Sequence, residues 1–215
     1  MNKVLLILSC ISALFALPND SFEPAPKRPT ASVQPTLPNQ QGTPVQQVVN
    51  NSQTPQALPP KKITIKEATL QAINSLRARN QICARATTPL AWDERLYSFA
   101  KEHAIDMAMH NFVSHEGSGQ ASDATAQRLG LKRGSHFYER VNQEVNSKKT
   151  LSGELVLAVS ANSMTRPKDV LHYWINREKD CQVIMDSRFK KVALSKVINK
   201  QTNKAYWVLL LAGNR

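Results

Sequence analysis

The chain has 215 residues, of which 41% are hydrophobic, and a formal net charge of +12 at pH 7. A chain this basic is drawn toward polyanions. Its charges are scattered, however, aromatic residues make up only 6% of it, and no nucleic-acid-binding motif is present, which argues against DNA binding. The polyanions that remain are anionic membrane surfaces and acidic polymers of a cell envelope.

The first residues carry the pattern of an export signal. Lys3 is followed by the mostly apolar run VLLILSCISALFAL, which is too short to cross a bilayer as a helix. We therefore predict a signal peptide over residues 1–17 and a secreted or periplasmic protein. An uncleaved membrane anchor and a lipoprotein modified at Cys10 are the less favoured alternatives.

Residues 18–60 have a different composition from the rest of the chain. Ten of the twelve prolines lie here, among many Gln, Asn, Ser and Thr residues and a single aromatic residue, Phe22. Such a segment cannot bury enough apolar surface to offset its loss of conformational entropy. We predict a disordered linker over residues 18–60 and one folded domain over residues 61–215, a length typical of a single domain with its own core.

The folded part begins with two predicted helices. Residues 66–82 carry apolar side chains at helical spacing and contain no Gly or Pro. Asp93 stands where an N-cap belongs, ahead of the helical pattern ERLYSFAKEHAIDMAMH. His103 and His110 lie on the apolar stripe of that second helix, so we predict them to be packing residues of the core.

The second half mixes short helices with strands. His115 falls in a predicted loop, and a short helix over residues 122–129 follows. A helix with Pro167 in its first turn precedes two predicted strands, at residues 189–198 and 205–212. The last segment, AYWVLLLA, is apolar on both faces and is predicted to be a central strand covered on both sides. Together these elements predict an α+β domain with helices over a sheet.

The cysteines are few. Removal of a signal peptide would remove Cys10 and leave Cys83 and Cys181. An even, minimal number in an exported domain indicates one disulfide between them. Two buried free thiols are the alternative if the protein is not exported.

Several motifs occur in the order typical of one known family. They are PLAWDERL, FAKEHAIDMA, NFVSH, SGELVLA, RPKDVLHYW and DSRFKKVAL. Residues 67–212 thereby resemble the CAP superfamily of cysteine-rich secretory, antigen 5 and pathogenesis-related 1 proteins (the SCP-like domain), and most closely its secreted bacterial members. The resemblance implies an α-β-α sandwich of CAP/SCP type. It also implies a disulfide between Cys83 and Cys181, in agreement with the count of cysteines.

The resemblance further implies a cleft formed by two histidines and acidic partners, which binds a divalent metal in several members. His115 matches the first histidine. Glu154 matches the glutamate of a Gly-Glu-Asn element whose asparagine is replaced by Leu155. Asp180 stands where the second histidine is expected, and Arg177 stands at a position that is usually Ser or Glu.

Two interpretations of this cleft remain open. In the first, His115, Glu154 and Asp180 form a mixed nitrogen and oxygen site for zinc or manganese. In the second, the site is lost. Arg177 and Asp180 are three residues apart and would pair on a helix, and Arg177 would place a fixed positive charge near Glu154.

These observations lead to three functional hypotheses. The first is a non-enzymatic envelope or extracellular ligand-binding or interaction module, for which the resemblance implies lipid or sterol ligands. The second is a divalent-metal-dependent, peptidase-like hydrolase in which Glu154 orients His115 as a general base. The third is a structural envelope component with a vestigial cleft. His136 and His172 are predicted to be surface or packing residues in all three.

Overall fold

The computed structural model describes residues 62–214, so the predicted signal peptide and linker lie outside the described residues. No helix within residues 62–214 is long and apolar enough to cross a membrane. The elements are α1 (Ile65–Arg77), β1 (Ala91–Trp92), α2 (Glu94–His110), α3 (Ala124–Arg128), α4 (Phe137–Asn142), β2 (Leu151–Ser160), α5 (Pro167–Ile175), α6 (Glu178–Met185), β3 (Phe189–Asn199) and β4 (Lys204–Gly213).

The four strands form one mixed sheet in the order β1-β3-β4-β2. The short β1 is parallel to β3, and β4 is antiparallel to both of its neighbours. As predicted, β4 is a central strand, and every residue of it after Lys204 is buried. The edge strand β2 runs alongside β4 from Leu151 opposite Gly213 to Ser160 opposite Lys204.

The predicted α+β class is confirmed, and helices pack on both faces of this sheet. Alternate side chains of β4 enter two different hydrophobic clusters, because successive residues of a strand point to opposite faces. Trp207 and Leu209 pack with residues of α1, α5 and α6 on one face. Tyr206 and Val208 pack with α2 on the other. The sequence AYWVLLLA is apolar throughout because it supplies both clusters.

The beginnings of the two long helices follow the sequence pattern. Asp93 is the N-cap of α2, as predicted, and its carboxylate accepts hydrogen bonds from the backbone N–H groups of Arg95 and Leu96. Thr64 caps α1 through a capping box with Glu67. These caps satisfy backbone donors that have no partner inside the first helical turn.

The predicted end of the first helix is wrong. α1 ends at Arg77, and Ile82, the last residue of the predicted helix, is 73% exposed. The side chain of Gln81 donates to the carbonyl oxygen of Leu76 at 2.7 Å. This bond occupies an acceptor that a further turn of helix would have used, so the chain turns away after Ala78.

The end of α2 also differs from the prediction. His103 is buried in the core side of the helix as expected, but His110 is exposed and its Nε2 lies 2.9 Å from the hydroxyl of Ser122. In the last turn of α2, Met107 and Ala108 pack in the apolar cluster, whereas His110 lies on the side that faces Ser122. Asn111 ends the helix in the left-handed conformation, with φ of 53°.

Residues 111–150 form the connection between α2 and β2, which is held together largely by polar contacts; we call it the polar connection. Its buried Asp123 accepts hydrogen bonds from the hydroxyl and the backbone N–H of Ser135, at 2.6 and 2.8 Å. Gly134 passes so close to the carbonyl of Gly117 that a Cβ there would overlap it. Buried carboxylates thus replace the apolar side chains that organise the rest of the domain.

Candidate functional site

His115 lies beyond the end of α2, in the loop that opens the polar connection. Its side chain is 56% exposed. Nδ1 lies 3.0 Å from Oε1 of Glu154, and the edge of the ring faces Phe137 with 6.2 Å between the ring centroids. The structure therefore brings together His115 and Glu154, two residues separated by 39 positions.

Glu154 is held inside the domain. It lies on β2 in the same alternate set as Val156, which belongs to the cluster under α2. Its carboxylate is fully buried. One oxygen contacts His115, and the other accepts a hydrogen bond of 2.9 Å from the guanidinium of Arg140. Both oxygens are thus engaged within the protein.

Arg140 is the residue that completes this site, and sequence reasoning did not single it out. It lies on α4 in the polar connection and is fully buried. Besides the bond to Glu154, its guanidinium donates to the backbone carbonyl of His115 at 2.9 Å and to that of Ser135 at 2.7 Å. It therefore fixes both the carboxylate and the backbone of the histidine loop.

Burial and neighbouring charges shift the pKa values of Glu154, His115 and His103. Burial opposes ionisation of Glu154, but the charge of Arg140 and the hydrogen bond with His115 outweigh it, so its pKa is lowered. The hydrogen bond to Glu154 raises the pKa of His115, against the effect of desolvation. Burial, followed by the charge of Arg140, lowers the pKa of His103, whose Nε2 lies 2.7 Å from the carbonyl oxygen of Ser114. His103 is therefore a neutral packing residue.

Arg177 and Asp180 form an ion pair with each other. Nε of Arg177 lies 2.9 Å from Oδ2 of Asp180, the three-residue pairing that the sequence predicts. The guanidinium also donates to the hydroxyl of Tyr173 at 2.8 Å and lies over its ring. The guanidinium that contacts Glu154 is that of Arg140. Asp180 makes only a minor contribution to the raised pKa of His115.

The donor set for a metal is incomplete. Within residues 62–214, no group of three or more His, Cys, Asp or Glu side chains could hold a metal ion. Of the three predicted ligands, His115 and Glu154 are in contact with each other, while Asp180 is paired with Arg177. The residues present therefore do not fit zinc or manganese.

The disulfide is confirmed. Cys83, in the loop after α1, is bonded to Cys181 of α6, with 6.0 Å between their Cα atoms. Cys181 lies in the apolar cluster on that face of the sheet. Neither cysteine is free to act as a nucleophile. The only side-chain hydrogen bond of His115 to another described residue is the one to Glu154, so no described serine is activated by it.

The remaining histidines lie outside the His115–Glu154 pair. Nδ1 of His136 is 3.4 Å from a carboxylate oxygen of Glu116, and its ring stacks on Tyr138. His172 is exposed and lines a groove between α1 and α5.

A cleft of about 400 Å³ opens beside His115, at the start of the edge strand β2. Its walls come from the histidine loop, α4, β2, α6 and the turn before β3; we call it the His115 cleft. The lining residues are His115, Phe137, Leu151, Ser152, Gly153, Glu154, Lys179, Gln182, Val183, Asp186, Arg188 and Phe189. Arg177 and Asp180 are not among them.

Comparison with solved structures finds similar bacterial proteins. An extracellular SCP-domain protein from Bacillus anthracis is 17% identical with a TM-score of 0.51, over 70% of this chain and 40% of that one. An outer surface protein from Borrelia burgdorferi is 17% identical with a TM-score of 0.49, over 71% of this chain and 97% of that one. A cysteine-rich secretory protein from Staphylococcus aureus is 10% identical with a TM-score of 0.41, over 70% and 38%.

No curated protein matches the sequence. One protein-family model matches residues 70–211, which is more than half of the chain. That match runs from the middle of α1 to Leu211 in the central strand and includes His115, Glu154 and both bonded cysteines. The chain belongs to the CAP family, the cysteine-rich secretory protein family.

Proposed function

We propose that this CAP-domain protein is exported and acts outside the cytoplasm as a non-enzymatic ligand-binding module, with the His115 cleft as its binding site. The N-terminal sequence pattern and the disulfide support export. The Bacillus anthracis protein that shares the fold is extracellular by its description. The domain's positive charge supports a partner that is anionic, either a membrane surface or an envelope polymer.

One observation carries the non-enzymatic part of this proposal. The carboxylate of Glu154, one of the three predicted metal ligands, is buried, and each of its oxygens already has a partner within the protein. Removing it from Arg140 would leave an unpaired buried charge, which costs several kcal/mol. What Glu154 supplies instead is a fixed orientation for His115, whose Nε2 is left for an external partner.

A second surface supports the lipid partner that the family resemblance implies. A groove of about 720 Å³ lies between α1 and the start of α5, with Trp207 at its floor and small or apolar residues of α1 along one wall. Arg79, Lys168 and Lys196 line its rim. Such a combination suits an amphiphile with an acidic head group.

The hydrolase remains the competing proposal because one feature favours it. A half-exposed histidine whose Nδ1 is held by a buried carboxylate has the orientation of a general base. It would still require a water nucleophile and an activating cation, and the described residues do not form a site for that cation.

Calorimetric titration of zinc and manganese into the purified, chelator-treated protein separates the two proposals. His115→Ala, Asp180→Ala and the surface variant Lys168→Ala are titrated in parallel. We expect no one-to-one binding in any of the four proteins and no metal-dependent cleavage of a casein substrate. One-to-one binding that is lost in both His115→Ala and Asp180→Ala, with metal-dependent cleavage, would establish the hydrolase and contradict our proposal.

A further inference from the structure

The His115 cleft contains polar side chains that have no partner in the described part of the protein. Ser152, Lys179 and Gln182 line it, and none of the three makes a side-chain hydrogen bond or ion pair to another residue of the described part of the chain. Nε2 of His115 is likewise unbonded there, because the ring uses Nδ1 for Glu154. Four hydrogen-bonding groups therefore surround one concave surface.

The net charge of this surface is positive, because each of its two acids is paired with an arginine. Glu154 is paired with the buried Arg140. Asp186 is paired with Arg188, at 2.6 Å, and carries further bonds from the same guanidinium. The charge left for a ligand is that of Lys179, which lines the cleft together with His115, whose Nε2 is unbonded. Charge complementarity therefore favours an anionic ligand.

A row of rings continues from the cleft along α4. Phe137 faces the edge of His115, and Tyr138 lies 5.6 Å from Phe137. Tyr138 stacks in turn on His136, at 5.0 Å with 20° between the planes, and Lys148 lies 5.1 Å from the centre of its ring. All four rings are partly exposed. Aromatic residues make up only 6% of the chain, and these rings are grouped on one surface. That surface is apolar, and its ring faces are polarisable.

Hydroxyl-rich rings match both parts of this surface. The C–H faces of a sugar pack on aromatic rings, while its hydroxyls exchange hydrogen bonds with side chains such as serine, glutamine and histidine. A simple acyl chain fits less well, because it would bury the polar groups of Ser152, Lys179 and Gln182 without partners. The volume of about 400 Å³ lies within the range of small-ligand sites.

We propose that the His115 cleft binds an acidic saccharide, with a carboxylate of the sugar on Lys179 and His115, its hydroxyls on Ser152 and Gln182, and neighbouring sugar rings against Phe137 and Tyr138. The inference rests on the proposed function, because it names the ligand class of the same cleft. It predicts that the charged sugar unit and the neighbouring sugar rings both contribute to the binding affinity.

The test uses the purified protein and trigalacturonate, which carries a carboxylate on each ring, with the neutral maltotriose as a matched probe. Binding is measured by calorimetry for the wild type, Lys179→Gln, Phe137→Leu and the control Lys101→Gln, an exposed residue of α2 that lines neither the His115 cleft nor the α1–α5 groove. We expect saturable binding of trigalacturonate and about tenfold weaker binding of maltotriose. Lys179→Gln and Phe137→Leu should each weaken trigalacturonate binding by about tenfold, and Lys101→Gln should leave it unchanged.

Several outcomes overturn the inference. The first is an absence of saturable binding. The second is an equal loss in Lys179→Gln and Lys101→Gln, which would indicate general attraction to the basic surface. The third is undiminished binding in Phe137→Leu. Lys179 is exposed, so its substitution also tests the site if Phe137→Leu fails to fold. A shift of the His115 ring resonances on saturation, with those of the buried His103 unmoved, places the sugar in the cleft.

The failure of this inference can be told apart from failure of the proposed function. Loss of sugar binding without metal binding or cleavage overturns only the ligand class. Release of new reducing ends from trigalacturonate, abolished by His115→Ala, supports the saccharide site and contradicts the non-enzymatic role.

Discussion

Two of the arginine–carboxylate pairs described above have the same distance between their paired atoms but differ in almost every other respect. Arg140 and Glu154 are 2.9 Å apart with side chains 1% and 0% exposed. Arg177 and Asp180 are also 2.9 Å apart, but their side chains are 59% and 20% exposed. The first pair joins a helix of the polar connection to the sheet, while the second joins two residues close together in sequence at the start of α6.

The comparison shows that distance alone does not measure the importance of an ion pair. In the exposed pair, water screens the attraction, and either partner can return to solvent at little cost. In the buried pair, loss of one partner strands the other charge in a medium that solvates it poorly. We therefore expect the buried pair to be essential to the fold and the exposed pair to be nearly neutral.

Substitution of Arg140 should have the largest effect. Arg140→Met leaves Glu154 buried and unpaired, and we expect a loss of about 3–5 kcal/mol in the free energy of unfolding. Urea denaturation of the purified protein measures it. The double variant Arg140→Met/Glu154→Met removes both charges and should recover much of the loss. A single-variant loss below about 1 kcal/mol would show that the two pairs are not different in kind.

A third pair, Arg133 with Glu139, tests the comparison at intermediate exposure, since Arg133 is 40% exposed and Glu139 is buried. Arg133→Gln should cost about 1.5–3 kcal/mol, the range for hydrogen bonds to charged groups. Glu139 keeps its bonds from the backbone N–H groups of His136 and Asn146 in this variant. A cost outside the values measured for the buried and exposed pairs would contradict the ranking by exposure.

The Arg133–Glu139 pair should also affect how the stability of the fold changes at acid pH. Burial opposes ionisation of Glu139, but the bonds from Arg133 and the backbone outweigh it and lower its pKa from 4.5 to about 2. Because the folded-state pKa is depressed, this stabilisation is present above about pH 4.5 and is lost as the pH falls through about 2. In Arg133→Gln the loss should occur at a higher pH, as measured by urea denaturation across the acid range.

His115 should respond to pH in the opposite direction. Its hydrogen bond to Glu154 raises its pKa, so the stabilisation is fully present below the ordinary value of 6.5 and is lost as the pH rises through the folded-state pKa. Histidine NMR titration should show the pKa of His115 above 6.5 and that of the buried His103 below it. Glu154→Gln should lower the pKa of His115; an unchanged value would mean that the carboxylate does not hold the ring.

Removal of the exposed pair should have the smallest effect. Arg177→Gln and Asp180→Asn should each change the free energy of unfolding by less than about 1 kcal/mol, and the change should shrink further at high salt. Urea denaturation at two ionic strengths measures this. A loss as large as that of Arg140→Met would mean that the α5–α6 junction depends on this ion pair.

The sequence predicts what is local and periodic. Asp93 and the stripe behind it specify α2, and the continuous apolar run after Lys204 specifies a central strand. The pairing of Arg177 with Asp180 also follows from spacing alone. The end of α1 does not, because it depends on the side chain of Gln81 returning to a helical carbonyl.

Only part of the candidate site could be predicted from the sequence. The family motif identifies His115 and Glu154, and the structure brings them into contact. Arg140 carries no such signal, because it occupies no motif and its partners are reached through the path of the polar connection and the register of β2. A buried ion between distant segments is decided by tertiary structure, which no local pattern records.

The position of β4 in the sheet has a consequence for how the protein is made. β4 is the last of the described strands in the chain and yet the one that holds the sheet together, because β2 and β3 both pair with it. Until residues 204–213 are free to insert, β2 and β3 lack the strand that lies between them. Folding must therefore wait for contacts between distant parts of the chain, which slows it and leaves the newly synthesised polypeptide extended for longer.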